Sequence, residues 1–170
     1  IDLSYSSFAN FHGESPLFFI YYLKLSMIIY AKTPKQINAL SNCDLSKFLV
    51  DYKNIFEADV TTLKLTAYNR NNTLQEATTE AKLHLIEQNA AGHIVEHESL
   101  VELKLVKNTN CTTQAIRGPE ILRCKCCGAT LSLLEGKACS YCGQELNLVD
   151  YDWAISEYTI KNSKILITRV

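Results

Sequence analysis

The stretch "AKLHLIEQNAAGHIVEHESLVELKLVK", residues 81–107, contains two runs in which apolar and polar residues alternate. A period of two places successive side chains on opposite faces of a β-strand. The segment "NAAG", residues 89–92, separates the runs with residues that favour a turn. We therefore predict a pair of antiparallel strands with one buried face. The inward residues are predicted to be Ala81, Leu83, Leu85, Val101, Leu103 and Leu105.

Two further segments carry the same period on either side of this pair. Upstream, "DVTTLKLTAY", residues 59–68, places Leu63, Leu65 and Ala67 on one face, and "RNN", residues 70–72, follows as a turn. Downstream, "LVDYDWAISEYTI", residues 148–160, alternates again and predicts a fourth strand that returns to the sheet. Its inward residues would be Tyr151, Trp153 and Ile155. The last segment, "KILITRV", residues 164–170, is compatible with either a further strand or a packed tail.

The first third of the chain has helix signals instead. Ser15 followed by Pro16 is a typical N-cap with proline at the first helical position, and Thr33-Pro34 ends that helix and starts another. A third piece, "LSKFLVDY", residues 45–52, can be capped by Asn42 or Asp44. The apolar run at residues 16–31 is shorter than the roughly 20 residues of a membrane-spanning helix and contains a central lysine, so we expect a buried or docking helix. Helices followed by strands predict an α+β fold, with the helices on one face of an antiparallel sheet.

Composition limits the class of protein. A length of 170 residues with 47% hydrophobic and 21% charged residues is typical of one globular domain. The net charge of -1 argues against nucleic-acid binding that depends on phosphate neutralisation. Five of the seven cysteines lie within residues 124–142, which favours a metal site in a reducing compartment over a disulfide framework.

The cysteine segment is "CKCCGATLSLLEGKACSYCG", residues 124–143. It holds two Cys-x-x-Cys turns, and each is followed by a glycine, Gly128 or Gly143, that lets the backbone fold back toward the sulfurs. Four thiolates suit the tetrahedral coordination of Zn²⁺ and leave no position for water or substrate, so the predicted zinc is structural. The predicted ligands are Cys124, Cys127, Cys139 and Cys142.

Alternatives exist for these cysteines. Cys126 lies between two predicted ligands and could replace Cys127 or Cys124, although the Cys-Gly pairing favours Cys127. Disulfides, a redox pair or an iron site with the same ligands are the competing interpretations, but a redox Cys-x-x-Cys normally opens a helix after a strand. Cys43 and Cys111 have no partner at ligand spacing and are interpreted as inert thiols.

No other motif indicates catalysis. His84, His93 and His97 lie on or beside the predicted strands, and we interpret them as outward-facing residues. The sequence has neither a Gly-x-Ser-x-Gly elbow nor a glycine-rich phosphate loop. Residues 117–148 carry four basic and three acidic residues, a net of +1, and no basic face for nucleic acid. We therefore expect no enzymatic activity.

The order of the elements, with "CGA" at residues 127–129, "YCG" at 141–143 and "YDW" at 151–153, resembles the bacterial Tim-forty-four-like domains that carry a zinc ribbon before a closing Asp-Trp strand. The resemblance covers roughly residues 16–160. It implies a nuclear-transport-factor-two-like fold, in which a curved antiparallel sheet and helices form a cone with a pocket. Relatives are often membrane-anchored with the domain on the cytoplasmic side, and the mitochondrial namesake tethers an import motor to the inner membrane.

These interpretations define the expected organisation and function. Residues 1–14 would be an irregular arm, residues 15–117 and 149–170 the α+β domain, and residues 118–148 an inserted zinc ribbon. The expected function is a non-enzymatic interaction or tethering domain with a protein or peptide partner, at the cytoplasmic face of a membrane. Any membrane anchor would come from a segment outside this chain. The alternative is a small-molecule pocket or an enzyme on the same fold, which a cavity with a buried acid or histidine would favour.

Overall fold

The computed structural model describes residues 16–111 and 122–170, with side chains from residue 20 onward. The expected arm at residues 1–14, the predicted N-cap Ser15 and the predicted boundary between the α+β domain and the zinc ribbon, at residues 117 and 118, lie outside the described residues. Short helices precede a four-stranded antiparallel sheet, which confirms the α+β class. The cone-like arrangement implied by the resemblance stays a prediction.

The capping prediction is confirmed for the second helix, whereas the third helix begins at Leu49, later than predicted, and no side chain among the described residues caps it. Thr33 Oγ1 accepts a hydrogen bond from Gln36 N at 3.2 Å and caps the second helix, whose first residue is Pro34. Asp44 Oδ1 accepts from Ser46 N at 2.9 Å, at the start of the 3-10 turn that precedes the third helix. The helices are α1 (Pro16–Tyr30), α2 (Pro34–Asn38) and α3 (Leu49–Tyr52), the last preceded by a 3-10 turn at Ser46–Phe48.

The main sheet has the strand order β1-β2-β3-β6, so β1 and β6 are its edges. The predicted meander is present as β1 to β3, and "KILITRV" is the second half of the last strand. A separate two-stranded sheet is formed by β4 and β5. The strands are β1 (Ile55–Arg70), β2 (Leu74–Gln88), β3 (Ile94–Asn108), β4 (Leu122–Arg123), β5 (Thr130–Leu131) and β6 (Ala154–Arg169).

The two edge strands carry β-bulges at regular intervals, whereas β2 and β3 pair without a break. In β1, Phe56, Thr61 and Thr66 have no paired residue on β2. In β6, one residue is likewise left without a paired residue on β3 at each of three places. Each bulge bends its strand and increases the local twist. Bulges also interrupt the row of free backbone groups that an edge strand offers to another strand, so both edges are blunted against strand addition.

The prediction for the inward face of β1 is partly wrong. Leu63 is half-buried against the core, but Leu65 and Ala67 are exposed. The bulge at Thr66 breaks the period of two, so that Leu65 pairs with Thr79 and Ala67 pairs with the next residue, Thr78. A one-residue slip moves every following side chain to the opposite face. Ala67 therefore lies on the solvent face.

The core lies between the helices and one face of the sheet. The six inward residues predicted for β2 and β3 are all buried, as are Tyr21, Leu25 and Ile28 of α1. Burying such an aliphatic side chain contributes about 1.5 to 3 kcal/mol each, so this layer accounts for most of the attachment of α1 to the sheet. Tyr52 of α3 and Tyr158 of β6 join it through hydroxyl groups 2.5 Å apart.

The start of β6 differs from the prediction. Tyr151, Trp153 and Ile155 are buried, but the strand begins at Ala154, after a 3-10 turn at Leu148–Asp150. Trp153 and Ile155 belong to the main core, whereas Tyr151 packs in a second cluster with the cysteine segment. The expected single face is therefore divided between two clusters.

The apolar helix α1 is 15 residues long. Within residues 16–111 and 122–170, no helix has the length and apolar character needed to cross a membrane.

Candidate metal centre

The four predicted ligands lie at the tips of two hairpins that repeat the same backbone structure fifteen positions apart. In residues 122–131, Leu122 pairs with Leu131. In residues 137–146, Ala138 bridges Glu145, and Leu146 N donates to Lys137 O at 2.8 Å. Each hairpin thus holds one Cys-x-x-Cys turn, and the repeat supports a site built from two equivalent halves.

Each turn is closed by its glycine. Gly128 N donates to Cys124 O and Gly143 N donates to Cys139 O, both at 2.8 Å. The φ angles of the glycines are +75° and +74°. L-residues rarely adopt this left-handed region, so the glycine after each second cysteine is a backbone requirement.

The four sulfur atoms lie within 4.8 Å of one another. The Sγ atoms of Cys124 and Cys142 are 3.7 Å apart, and those of Cys127 and Cys139 are 3.6 Å apart. A disulfide would need about 2.05 Å, and all four cysteines are free. A tetrahedron of sulfurs about 2.3 Å from a central Zn²⁺ has edges of about 3.8 Å. The spacing therefore matches a site for one metal ion.

Backbone amides lower the pKa of the first cysteine of each turn. The amides of Cys127 and Cys126 lower the pKa of Cys124. The amide of Cys142, whose nitrogen lies 3.5 Å from the Cys139 sulfur, lowers the pKa of Cys139 to about 6. Amides aimed at sulfur favour the thiolate, which is the form that binds a metal.

The second cysteine of each turn behaves differently. The amide of Gln144 lowers the pKa of Cys142, but desolvation and the neighbouring sulfurs of the cluster outweigh it and raise the pKa to about 12. The pKa of Cys127 is raised by a similar balance, in which desolvation and the sulfurs of Cys139 and Cys124 oppose the amide of Ala129. Four thiolates at this spacing repel one another, so a cation at their centre is needed for all four to ionise.

The remaining cysteines stay outside the cluster. Cys126 is exposed, as are Cys127 and Cys142, and it is not one of the four cysteines whose sulfur atoms lie within 4.8 Å of one another. In the part of the chain that the structure describes, the four predicted ligands form the group of His, Cys, Asp or Glu side chains that could hold a metal ion. The structure thus places the predicted set together without Cys126, and the identity of the metal is not fixed by the spacing.

The cysteine hairpins pack on the rest of the fold through a second hydrophobic cluster. Leu131 and Leu146 of the hairpins are buried with Ala39 and Leu40 beside α2, and with Ala154 at the start of β6. Lys137 Nζ donates to the carbonyl oxygen of Ser41. The hairpins are therefore joined to both the helical layer and the sheet.

The chain beside α2 also covers the first part of the β6 edge. Ile155 N donates to Leu40 O at 2.9 Å, and Asn42 N donates to Ile155 O at 2.8 Å. Ser41, fully buried, forms a parallel bridge with Ile155. This segment fixes the point where β6 leaves the cysteine hairpins.

A buried ion pair at the same junction was missed by the sequence analysis. Lys24 Nζ of α1 lies 3.9 Å from Asp152 Oδ2, and the two side chains are 3% and 6% exposed. Burial lowers the pKa of Lys24 to about 8 and raises the pKa of Asp152. The sequence showed Lys24 as the central charge of an apolar run, but its partner lies 128 positions away.

The outward assignment of the histidines is wrong for His97. His84 does lie on the outer face, where its Nε2 is 3.3 Å from Glu96 Oε2. His97 pairs with Leu85 and lies on the same face as Val101, because the two residues of β3 are four positions apart. The period used to place Val101 inward also places His97 inward, so the sequence contained this signal.

The opposite end of the sheet exposes apolar side chains. The cysteine hairpins attach where β3 ends and β6 begins, and 15 residues of strand span about 50 Å. At the far end, Ile165 is 66% exposed, and it lies at the rim of a cavity together with residues of α3. The exposed large apolar residues of this end are Val50, Phe56, Ile165, Leu166, Ile167 and Val170.

Comparisons of the chain with protein-family models, with curated proteins and with solved structures found no match. The resemblance to Tim-forty-four-like domains therefore stays a prediction that rests on the quoted motifs.

Proposed function

We propose that this chain is a non-enzymatic protein-interaction domain braced by a structural zinc ion. Cys124, Cys127, Cys139 and Cys142 would hold the ion, and residues 118–148 would form a zinc ribbon inserted before the last strand. Sulfur spacings of 3.6 and 3.7 Å support tetrahedral coordination by four thiolates. Such a set is typical of structural zinc, although iron accepts the same ligands.

The position of the centre supports a bracing role. Four protein ligands leave no coordination position for water or substrate, so the ion would not act in catalysis. Two hairpins of this size bury too little apolar surface to fold alone, and metal binding would supply the missing free energy. Because Tyr151 and Ala154 pack in the same cluster, the metal would also hold the start of β6 in place.

The observation that carries the interaction role is the group of exposed apolar residues at the far end of the sheet. Large apolar side chains that are exposed as a group often mark a binding surface. Leu166 and Ile167 are 46% and 44% exposed on an edge strand, and neighbouring Ile165 is exposed further. We propose that a protein partner covers this end while the metal centre stabilises the other.

The resemblance adds a setting to this proposal. Relatives of the Tim-forty-four-like class are often anchored at membranes, so we propose a partner at the cytoplasmic face of a membrane. A tethering or transport role would follow from that setting.

Capture of crosslinked partners from solubilised membranes tests the interaction role. Leu166→Lys with Ile167→Lys places two charges on the proposed surface, and Leu65→Lys with Tyr68→Lys places the same charges on the exposed edge β1 as a matched control. We expect the parent chain and the control to recover the same membrane-associated protein, and the first variant to lose it. Equal recovery by all three chains, or recovery of nothing above background by the parent, would contradict the proposal.

A further inference from the structure

A cavity of about 290 Å³ lies at the end of the sheet remote from the cysteines. Its floor is the inward face of β2, β3 and β6, where His97 pairs with Leu85 on one side and with Ile165 on the other. Asp51 and Tyr52 of α3 line the opposite wall. Asp51 and Ile165 of the lining are exposed, so this end of the face is open to a ligand.

A chain of hydrogen bonds orients the imidazole in this cavity. Ser99 Oγ donates to Ser163 Oγ at 2.9 Å, and Ser163 Oγ lies 3.2 Å from His97 Nδ1. His97 Nδ1–H can donate to Ser163, which leaves the lone pair on Nε2 as an acceptor. Nε2 is shielded from solvent and has no partner among the described residues. A buried polar atom without a partner has a free-energy cost that a ligand group can relieve.

The charges around the cavity have one sign. Among the described residues, its lining includes the carboxylates of Asp51 and Glu87 and neither lysine nor arginine. Burial lowers the pKa of His97, so the imidazole is neutral at pH 7 and adds no positive charge. The rest of the lining includes the apolar side chains of Val95 and Ile160. The cavity therefore favours a cation that also has an apolar part.

Two kinds of cation have to be distinguished. Within residues 20–111 and 122–170, Asp51, Glu87 and His97 do not converge as the cysteines do, since the group of side chains close enough to hold a metal ion is the cysteine cluster. An ammonium nitrogen holds its acceptors about 2.8 Å away, whereas a metal ion such as Zn²⁺ holds nitrogen and oxygen ligands at about 2.0 to 2.2 Å, so acceptors too far apart for a metal can still surround an ammonium. We propose that this cavity binds a small organic ammonium compound, with its nitrogen held by Glu87, Asp51 and His97 Nε2 and its apolar part against Val95 and Ile160. Entry requires movement of the rim, where Ile165 is exposed.

Three probes of nearly equal size and different charge test this inference: 2-phenylethylammonium, 2-phenylethanol and phenylacetate. Each is titrated into the full chain, and binding is followed by calorimetry and by the NMR signals of the His97 ring. We expect the ammonium to bind at least about tenfold more tightly than the alcohol, because one charge-assisted hydrogen bond contributes that much affinity. Phenylacetate should not bind. Saturable shifts of the His97 ring signals would locate the site.

Variants assign the contacts. Glu87→Gln and Asp51→Asn remove charge with little change of shape, and Asp51 is exposed, so its variant is expected to fold normally. Each should weaken ammonium binding by about tenfold. Glu80→Gln, on the outer face of the same strand β2, is the matched control and should bind as the parent chain does. The inference would be overturned by equal affinity for the three probes, by preference for phenylacetate, or by no ammonium binding up to about 10 mM. Unchanged affinity in both carboxylate variants would also overturn it.

Discussion

The two ends of the sheet hold their polar groups in opposite ways. At the cysteine end, four sulfurs lie within 4.8 Å of one another and two backbone turns repeat the same hydrogen bonds. At the other end, among the described residues, His97 Nε2 lacks a hydrogen-bond partner and six large apolar side chains are exposed. A closed set of ligands serves stability, whereas open polar and apolar surface serves binding. Under the proposed function, the cysteine end braces the fold and the other end binds a partner.

The largest effect is expected from breaking the cysteine end. Cys142→Ser removes one ligand, and the start of β6 loses the hairpins on which it packs. Loss of a structural metal belongs to the few mechanisms that cost about 5 kcal/mol, and we expect such a drop in the free energy of unfolding measured with urea. Cys126→Ser, an exposed cysteine in the same segment, is the control and should change little. A Cys142→Ser chain as stable as the parent would remove the bracing role.

The junction between the two clusters is the next most sensitive point. Trp153 is 7% exposed, and Lys107 Nζ lies 5.4 Å from its ring centre. Trp153→Ala leaves a cavity in the main core and should lower the free energy of unfolding by about 3 to 5 kcal/mol. Tyr141, 75% exposed on a cysteine turn, is the comparison. Tyr141→Ala should cost less than about 0.5 kcal/mol, and similar losses in both variants would contradict the assigned packing.

A smaller effect is expected from the tyrosine pair that joins α3 to β6. The Tyr52 and Tyr158 hydroxyl groups are 2.5 Å apart and buried. Tyr158→Phe leaves the Tyr52 hydroxyl without its partner and should cost about 1 to 3 kcal/mol. The double variant Tyr52→Phe with Tyr158→Phe removes both polar groups, so its loss should be less than the sum of the two single losses. Additive losses in this double-mutant cycle would show that the hydroxyl groups do not interact.

The buried ion pair predicts a pH dependence with a definite sign. Burial lowers the pKa of Lys24 from 10.5 to about 8, so the unfolded chain holds this proton at higher pH than the folded chain does. Between about pH 8 and pH 10 the unfolded state binds more protons, and the contribution of Lys24 to stability rises by at most about 1.4 kcal/mol per pH unit.

Lys24→Met isolates this contribution. The variant leaves Asp152 without its cation and should be less stable at neutral pH. Its stability should nevertheless lack the rise that the parent shows above pH 8. Parallel pH profiles of the parent chain and the variant in urea unfolding would show that Lys24 titrates normally.

The cysteine end could be predicted from the sequence better than the opposite end of the sheet, for physical reasons. The grouping of the four cysteines could be predicted because the spacing of Cys-x-x-Cys-Gly is local and brings the two sulfurs of each turn together. Leu83 and Leu103 could be placed because β2 and β3 pair without bulges, so their period of two holds throughout. Ala67 was misplaced because the bulge at Thr66 has no local sequence signal.

The recognition end depends on contacts between distant parts of the chain. His97 and Ser163 are 66 positions apart, and their contact depends on the register of β6 against β3. Asp51 lies at the cavity because of where α3 packs, and the alternation of apolar and polar residues in the sequence does not predict that position. The pairing of Lys24 with Asp152 has the same origin. Of these features, the inward position of His97 alone follows from the alternation of apolar and polar residues along β3.

Zinc K-edge X-ray absorption spectroscopy of the freshly purified chain tests the central claim most directly. It identifies the atoms bound to the metal and their distances without changing the protein. The account predicts one zinc per chain with four sulfur neighbours at about 2.3 Å. A chain without stoichiometric metal, or a zinc ion with fewer than four sulfur neighbours, would contradict the zinc-braced structure.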